Sequence, residues 1–156
     1  MTDYNKIDEV KKIIEEVLGQ LGVPGKVDFE ESITKGLIFN ISSPESYMII
    51  GRQGATLHSL QILVQNIAAK KLASENPFWF TLDVDDYKRK REWYLKETAK
   101  AAVDHLQKTD KPVRLEAMPA FERRFVHAYL QEHFPNVESE SQGEDPHRKI
   151  VIRFKH

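Results

Sequence analysis

Apolar residues recur along the first twenty positions at helical spacing. Ile7, Val10, Ile14, Val17 and Leu21 share one face, widened by Ile13 and Leu18. Gly22 and Pro24 end that helix. The period then drops to two. Residues 26–31 alternate around Val27 and Phe29, and residues 36–41 around Leu37, Phe39 and Ile41. The Thr34-Lys35-Gly36 turn between them predicts an antiparallel pair. Ser43-Pro44-Glu45 reads as a helix start, with Ser43 as cap and Pro44 in the first position. This short helix runs into Gly51-Arg52-Gln53-Gly54, and a second begins there, with Leu57, Leu60, Val64 and Ile67 on one face. Asn76-Pro77 breaks it, and residues 78–84 alternate as a strand. The order is helix, strand, strand, helix, helix, strand.

Asp85-Asp86 reads as the cap of a long helix over residues 87–107, ended by Thr109-Asp110-Lys111-Pro112. A strand over 113–116 leads to a helix that opens near Pro119 and stops before Pro135. A short strand over 136–140, a polar loop over 141–147 and an alternating strand over 149–154 close the chain. The expected class is α+β with two modules, 1–84 and 85–156. No flexible linker separates them, so rigid coupling is the expectation.

Charge changes the picture modestly. Lys plus Arg number 23 and Asp plus Glu 24, for a net charge of −1. Residues 1–83 carry 8 basic and 11 acidic side chains, and residues 84–156 carry 15 and 13, so the halves are at −3 and +2. A near-neutral total disfavours broad coating of duplex nucleic acid and leaves room for local contacts. The 40% hydrophobic content suits packed cores. With no cysteine there is no disulfide framework, thiolate nucleophile or Cys-bound zinc. No apolar run reaches the roughly 20 residues of a membrane span. Met1-Thr2-Asp3-Tyr4 lacks the basic-then-apolar opening of a signal peptide, so a cytoplasmic protein without membrane insertion is expected.

Two stretches carry chemistry. Gly51-Arg52-Gln53-Gly54 precedes a helix whose free N–H groups and partial positive charge attract phosphate. Its glycines would let a ligand approach the backbone, Arg52 adds a cation, and Gln53 adds hydrogen-bonding capacity. Ile50 and Leu57 would form an apolar floor for bases. An isolated Gly-x-x-Gly is most often only a turn, and an NTPase loop is excluded because no Gly-Lys-Ser/Thr ending follows. The second stretch is Phe121-Glu122-Arg123-Arg124-Phe125-Val126-His127. Arg123 and His127 are four apart on a helix and could bind one phosphate, with Arg124 beside them. Alone, the pair would more often be a solvated face or a core histidine.

The residues around these stretches resemble known modules. Ile49 to Gly54, followed by a leucine-bearing helix in the order above, resembles a type II KH domain, which clamps single strands with such a loop. Phe121 to His127, with Leu115-Glu116-Ala117-Met118-Pro119 before it and Gly143 to Arg148 after it, resembles the Arg-x-x-x-His (R-three-H) domain. That resemblance implies single-stranded nucleic-acid binding by Arg123 and His127, with Arg148 reaching the same surface. The tandem resembles the bacterial Jag family, the SpoIIIJ-associated RNA-binding proteins. It implies single-stranded RNA, or single-stranded DNA, as ligand and post-transcriptional control linked to cell elongation and division. A small single-KH protein or a second copy would be the protein partner. Arg52 stands where that family usually has Lys, and Phe121 where many members have Tyr.

Other features leave alternatives open. The run Lys88-Arg89-Lys90-Arg91 is either a phosphate track, with Lys88 and Arg91 in contact, or a solvated helix start. Trp79 and Trp93 are read first as packing residues and second as base-stacking ones. His127 and His133 are six apart, off one helix face, so no metal site is expected. No nucleophile or carboxylate pair supports catalysis, and no cofactor is implied. A protein–protein adaptor using the KH surface and an RNA-processing enzyme remain the alternatives.

Overall fold

A computed structural model describes residues 3–73 and 78–156. It forms two compact units, 1–88 and 89–156. The expected break at 84/85 falls four residues earlier, before the first turn of the long helix.

The first unit runs α1 (Tyr4–Leu21), β1 (Lys26–Ser32), β2 (Gly36–Ser42), α2 (Ser46–Ile50), a 3₁₀ turn (Arg52–Gly54), α3 (Ala55–Leu72) and β3 (Thr81–Val84). The Asp3 carboxylate caps α1 by accepting the Lys6 N–H. Gly22 closes it at φ 69°, a left-handed conformation that glycine adopts without a Cβ penalty. β1 and β2 pair antiparallel, with Phe29 opposite Phe39. β3 lies parallel to β2, with Leu82 beside Phe39, so β2 is central. Val27, Phe39, Ile41, Leu82 and Val84 form one core with Ile7, Val10 and Ile14 of α1 and Leu57, Leu60 and Val64 of α3. The open edge of β3 is secured by α3. Gln61 Oε1 accepts the Leu82 N–H at 3.0 Å, and Gln65 donates to the Phe80 carbonyl at 2.7 Å.

Three local expectations are corrected. Ser43 does not cap α2, which starts three residues later behind Glu45. Its hydroxyl instead donates to the Pro24 carbonyl and accepts the Glu45 N–H, fixing a turn. Residues 78–80 are not strand. Their alternation reflects burial of Phe80, and Trp79 stands in solvent. Asp85 and Asp86 adopt left-handed φ of 46° and 60°. The buried Asp83 carboxylate caps the long helix from further back, accepting the Val84 and Lys88 N–H groups. The Asn76-Pro77 break lies outside the described residues.

The second unit is built from α4 (Tyr87–Thr109, its first two residues aside), β4 (Val113–Ala117), α5 (Ala120–His133), β5 (Val137–Gln142) and β6 (Lys149–Phe154). The sheet order is β4-β6-β5, antiparallel throughout. Leu95, Ala99, Val103 and Leu106 of α4 pack with Val126 and Leu130 of α5 over Ile150 and Ile152. Among the described residues no helix is long and apolar enough to cross a membrane. The whole is α+β.

Candidate nucleic-acid interface

The glycine loop places its residues unequally. Gly51 has φ 69°, Gln53 φ 52° and Gly54 φ 76°, all left-handed. A Cβ on Gly51 would lie 2.0 Å from Thr56 Oγ1, and one on Gly54 2.7 Å from Tyr87 Cε1. The missing side chains therefore serve internal packing, which corrects the expectation that they open the backbone to a ligand. Arg52 is the exposed residue of the turn, and Gln53 is half-buried. No side chain caps the start of α3, an 18-residue helix, so its N-terminal field acts beside Arg52. Leu57 is 1% exposed and belongs to the core. It cannot support a base, and Ile50, half-buried against the same core, is what remains of the apolar floor.

The basic run divides. Lys88 is half-buried and its ammonium donates to Gln61 Oε1. Burial lowers its pKa to about 8, against the pull of Asp83. Arg91 makes a two-pronged pair with Glu122 at 2.7 and 3.0 Å. Glu122 is only 3% exposed, so Arg91 neutralises a buried carboxylate rather than tracking phosphate. Trp79 and Trp93 are 74% and 65% exposed, which overturns core packing for both.

Arg123 is also a correction. It is 6% exposed. One guanidinium nitrogen donates to the Met118 carbonyl at 2.6 Å and to Asp145 Oδ1 at 2.7 Å. The residue ties the entry of α5 to the loop before β6, and the Asp145 carboxylate occupies the place a phosphate would take on it. The guanidinium holds the Asp145 carboxyl below its ordinary range. His127, one turn on, is half-buried and sits between two hydroxyls: Nδ1 is 2.6 Å from Ser139 Oγ and Nε2 2.8 Å from Ser141 Oγ. Burial first, then the Arg123 charge, lowers its pKa below 6.5. In the neutral ring one nitrogen donates and the other accepts.

An open cleft of about 590 Å³ brings His127, Ser139, Ser141, Arg148 and Lys155 together. Arg148 is held there by donating to the Gly143 carbonyl at 2.6 Å. Glu138 and Glu140 line the same cleft, and both are met by Arg153. The cleft thus keeps Arg148 and Lys155 as cations of its own. Arg124 is exposed on α5. Sequence reasoning missed Ser139 and Ser141, although their two-residue spacing on β5 places both on one sheet face. Among the described residues no group of three or more acidic or histidine side chains could hold a metal.

Residues 94–154 match the family model of the Arg-x-x-x-His (R-three-H) domain, so the second unit contains that domain. Beyond it, the chain is similar to RNA-binding protein KhpB from three bacteria. It is 33% identical over 139 residues to that of Lactiplantibacillus plantarum, covering 89% of this chain and 42% of that protein. It is 31% identical over 149 residues to that of Clostridium symbiosum, covering 95% and 66%, and 28% identical over 150 residues to that of Bacillus subtilis, covering 96% and 71%. The chain thus spans less than half of the first relative and about two thirds of the others.

Proposed function

We propose that this chain binds single-stranded RNA, with a type II KH domain as its first unit and the turn over residues 51–54 as the principal phosphate contact. The observation that carries this reading is the exposed Arg52 on a left-handed turn at the uncapped start of α3. The names of its relatives as RNA-binding proteins support it. In the second unit the contact is the cleft of His127, Arg148 and Lys155, with exposed Arg124 nearby in sequence. On the resemblance to the Jag family, the RNA contact serves post-transcriptional control of cell elongation and division.

Replacing Arg52 and Gln53 together by Asp tests the loop. Asp tolerates the left-handed conformation of position 53 better than most residues. The double variant should lose RNA retention on a filter while its circular dichroism and melting stay unchanged. Unchanged affinity would remove the loop from the site.

A protein contact is a second reading, favoured by exposed Tyr47 and Met48 on α2 and Ile62 and Leu63 on α3. If a second copy covers these side chains, sedimentation will show a dimer that Met48→Asp with Leu63→Asp dissociates.

A further inference from the structure

The first two turns of α4 hold a feature that the glycine loop and the His127 cleft do not use. Arg89, Lys90, Trp93 and Tyr94 fall at i, i+1, i+4 and i+5, which puts them on one helix face. They line an open cleft of about 500 Å³. Trp93 is 65% exposed and Tyr94 41%. The Arg91 guanidinium lies 4.9 Å from the Tyr94 ring centroid, which braces that ring as a cation–π pair. An indole left largely in water forgoes much of the burial gain that the largest apolar side chain offers. Arg89 and Lys90 are both exposed at its edge. An aromatic face flanked by cations matches a strand that has both bases and phosphates, and not an apolar protein surface.

We propose that Trp93 stacks on a nucleobase of the bound single strand, with Arg89 and Lys90 steering the adjoining phosphates. This rests on the reading that the chain binds single-stranded RNA, and adds contacts at Arg89, Lys90 and Trp93, which precede the R-three-H match at residues 94–154. Stacking on a π-face carries little base preference, so the site contributes affinity rather than sequence choice.

The chain has two tryptophans, so Trp79→Phe in the full chain leaves Trp93 as the only indole emitter. Titration of that variant with an oligouridylate should quench its emission in step with filter retention. Trp93→Ala should weaken binding about tenfold and Trp93→Phe much less, because an aromatic face remains. An abasic sugar–phosphate oligomer should bind the parent more weakly than oligouridylate by a similar factor, and Trp93→Ala should shrink that difference. Emission that stays constant while RNA binds overturns the stacking proposal. So does a Trp93→Ala affinity equal to the parent's, even where the Arg52→Asp with Gln53→Asp variant has lost binding and the wider reading stands. A parent chain that retains no RNA overturns both.

Discussion

In the first unit the signature arginine is exposed, and the glycines beside it are the packed residues. In the second unit the signature arginine is buried against a carbonyl and a carboxylate. The exposed cations there are residues outside the pair. Both stretches sit at helix beginnings and both place an arginine where an anion could approach. The difference lies in what the helix start lacks. The residue in the capping position before α3 is Gly54, which has no side chain to offer, so the helix's N-terminal field stays open beside Arg52. Arg123 lies in the first turn of α5, where the loop before β6 delivers Asp145 to it. A motif arginine is thus left open to solvent in one place and made a tie between segments in the other, and the deciding observation is whether the protein has already supplied its anion.

The largest effect should come from within the basic run. Arg91→Ala would leave Glu122 as a buried carboxylate without that partner, and loss of one member of a buried pair costs about 3–5 kcal/mol. Urea unfolding of Arg91→Ala should show a loss near the lower end, because Arg91 itself is partly exposed. A loss under about 0.5 kcal/mol, the size of an ordinary surface substitution, would show that Glu122 does not depend on it. Gly51→Ala comes next. Its Cβ cannot remain 2.0 Å from Thr56 Oγ1, and left-handed φ adds roughly 1–2 kcal/mol. Destabilisation by about 2 kcal/mol or more, seen before any RNA is added, would show that the glycine is needed for the turn itself.

The comparison is sharpest between the two arginines. Arg123→Ala should lower stability by about 1–3 kcal/mol, the cost of lost charge-assisted and buried hydrogen bonds. At a temperature where it is folded, its RNA affinity should keep the parent's salt dependence. Arg52→Ala should do the reverse. Its stability should stay within about 0.5 kcal/mol, while the slope of log affinity against log salt falls by about 0.7, one phosphate contact on a single strand. Equal slopes for parent and Arg52→Ala, or a shallower slope for Arg123→Ala, would exchange the two assignments.

Much of the framework was legible because period and punctuation agree. Residues 36–41 alternate with Phe39 and Ile41 in the core, and Gly22 marks the end of α1. In 26–31 only Val27 is buried and Phe29 is exposed, while in 149–154 Val151 is buried along with Ile150 and Ile152, so these strands formed where expected without the expected one-sided burial. Alternation failed at 78–80, where Phe80 is buried by packing and not by a ladder. The site was less legible. Arg123 meets Asp145 across 22 positions and Arg91 meets Glu122 across 31. No local pattern encodes such distances. Leu57 illustrates the opposite error: its helical spacing marked it as core, and only its nearness to the glycine loop suggested a surface role.

The smallest predicted effect concerns His127. Its folded pKa lies below 6.5 because burial and Arg123 disfavour the charged ring. Between the folded and unfolded values the unfolded chain binds the extra proton, so this contribution to stability is present above pH 6.5 and is lost as pH falls toward the folded value. Asp145 is also depressed, but its contribution is lost only as pH falls below the ordinary carboxylate value of 3.8, so the two separate on the pH axis. The His127 effect should be under about 1 kcal/mol, since Ser139 and Ser141 can both turn their lone pairs to a protonated ring. His127→Gln should flatten the stability profile between about pH 7.5 and 5, the range that brackets an ordinary imidazole. RNA should act in the opposite direction. A phosphate in the cleft beside Arg148 and Lys155 favours the imidazolium, so affinity should rise as pH falls through the same window, and His127→Gln should remove that rise. If parent and variant gain affinity equally on acidification, the cleft is not where the strand is held, and the second unit's contact must be sought at Arg124 or on α4.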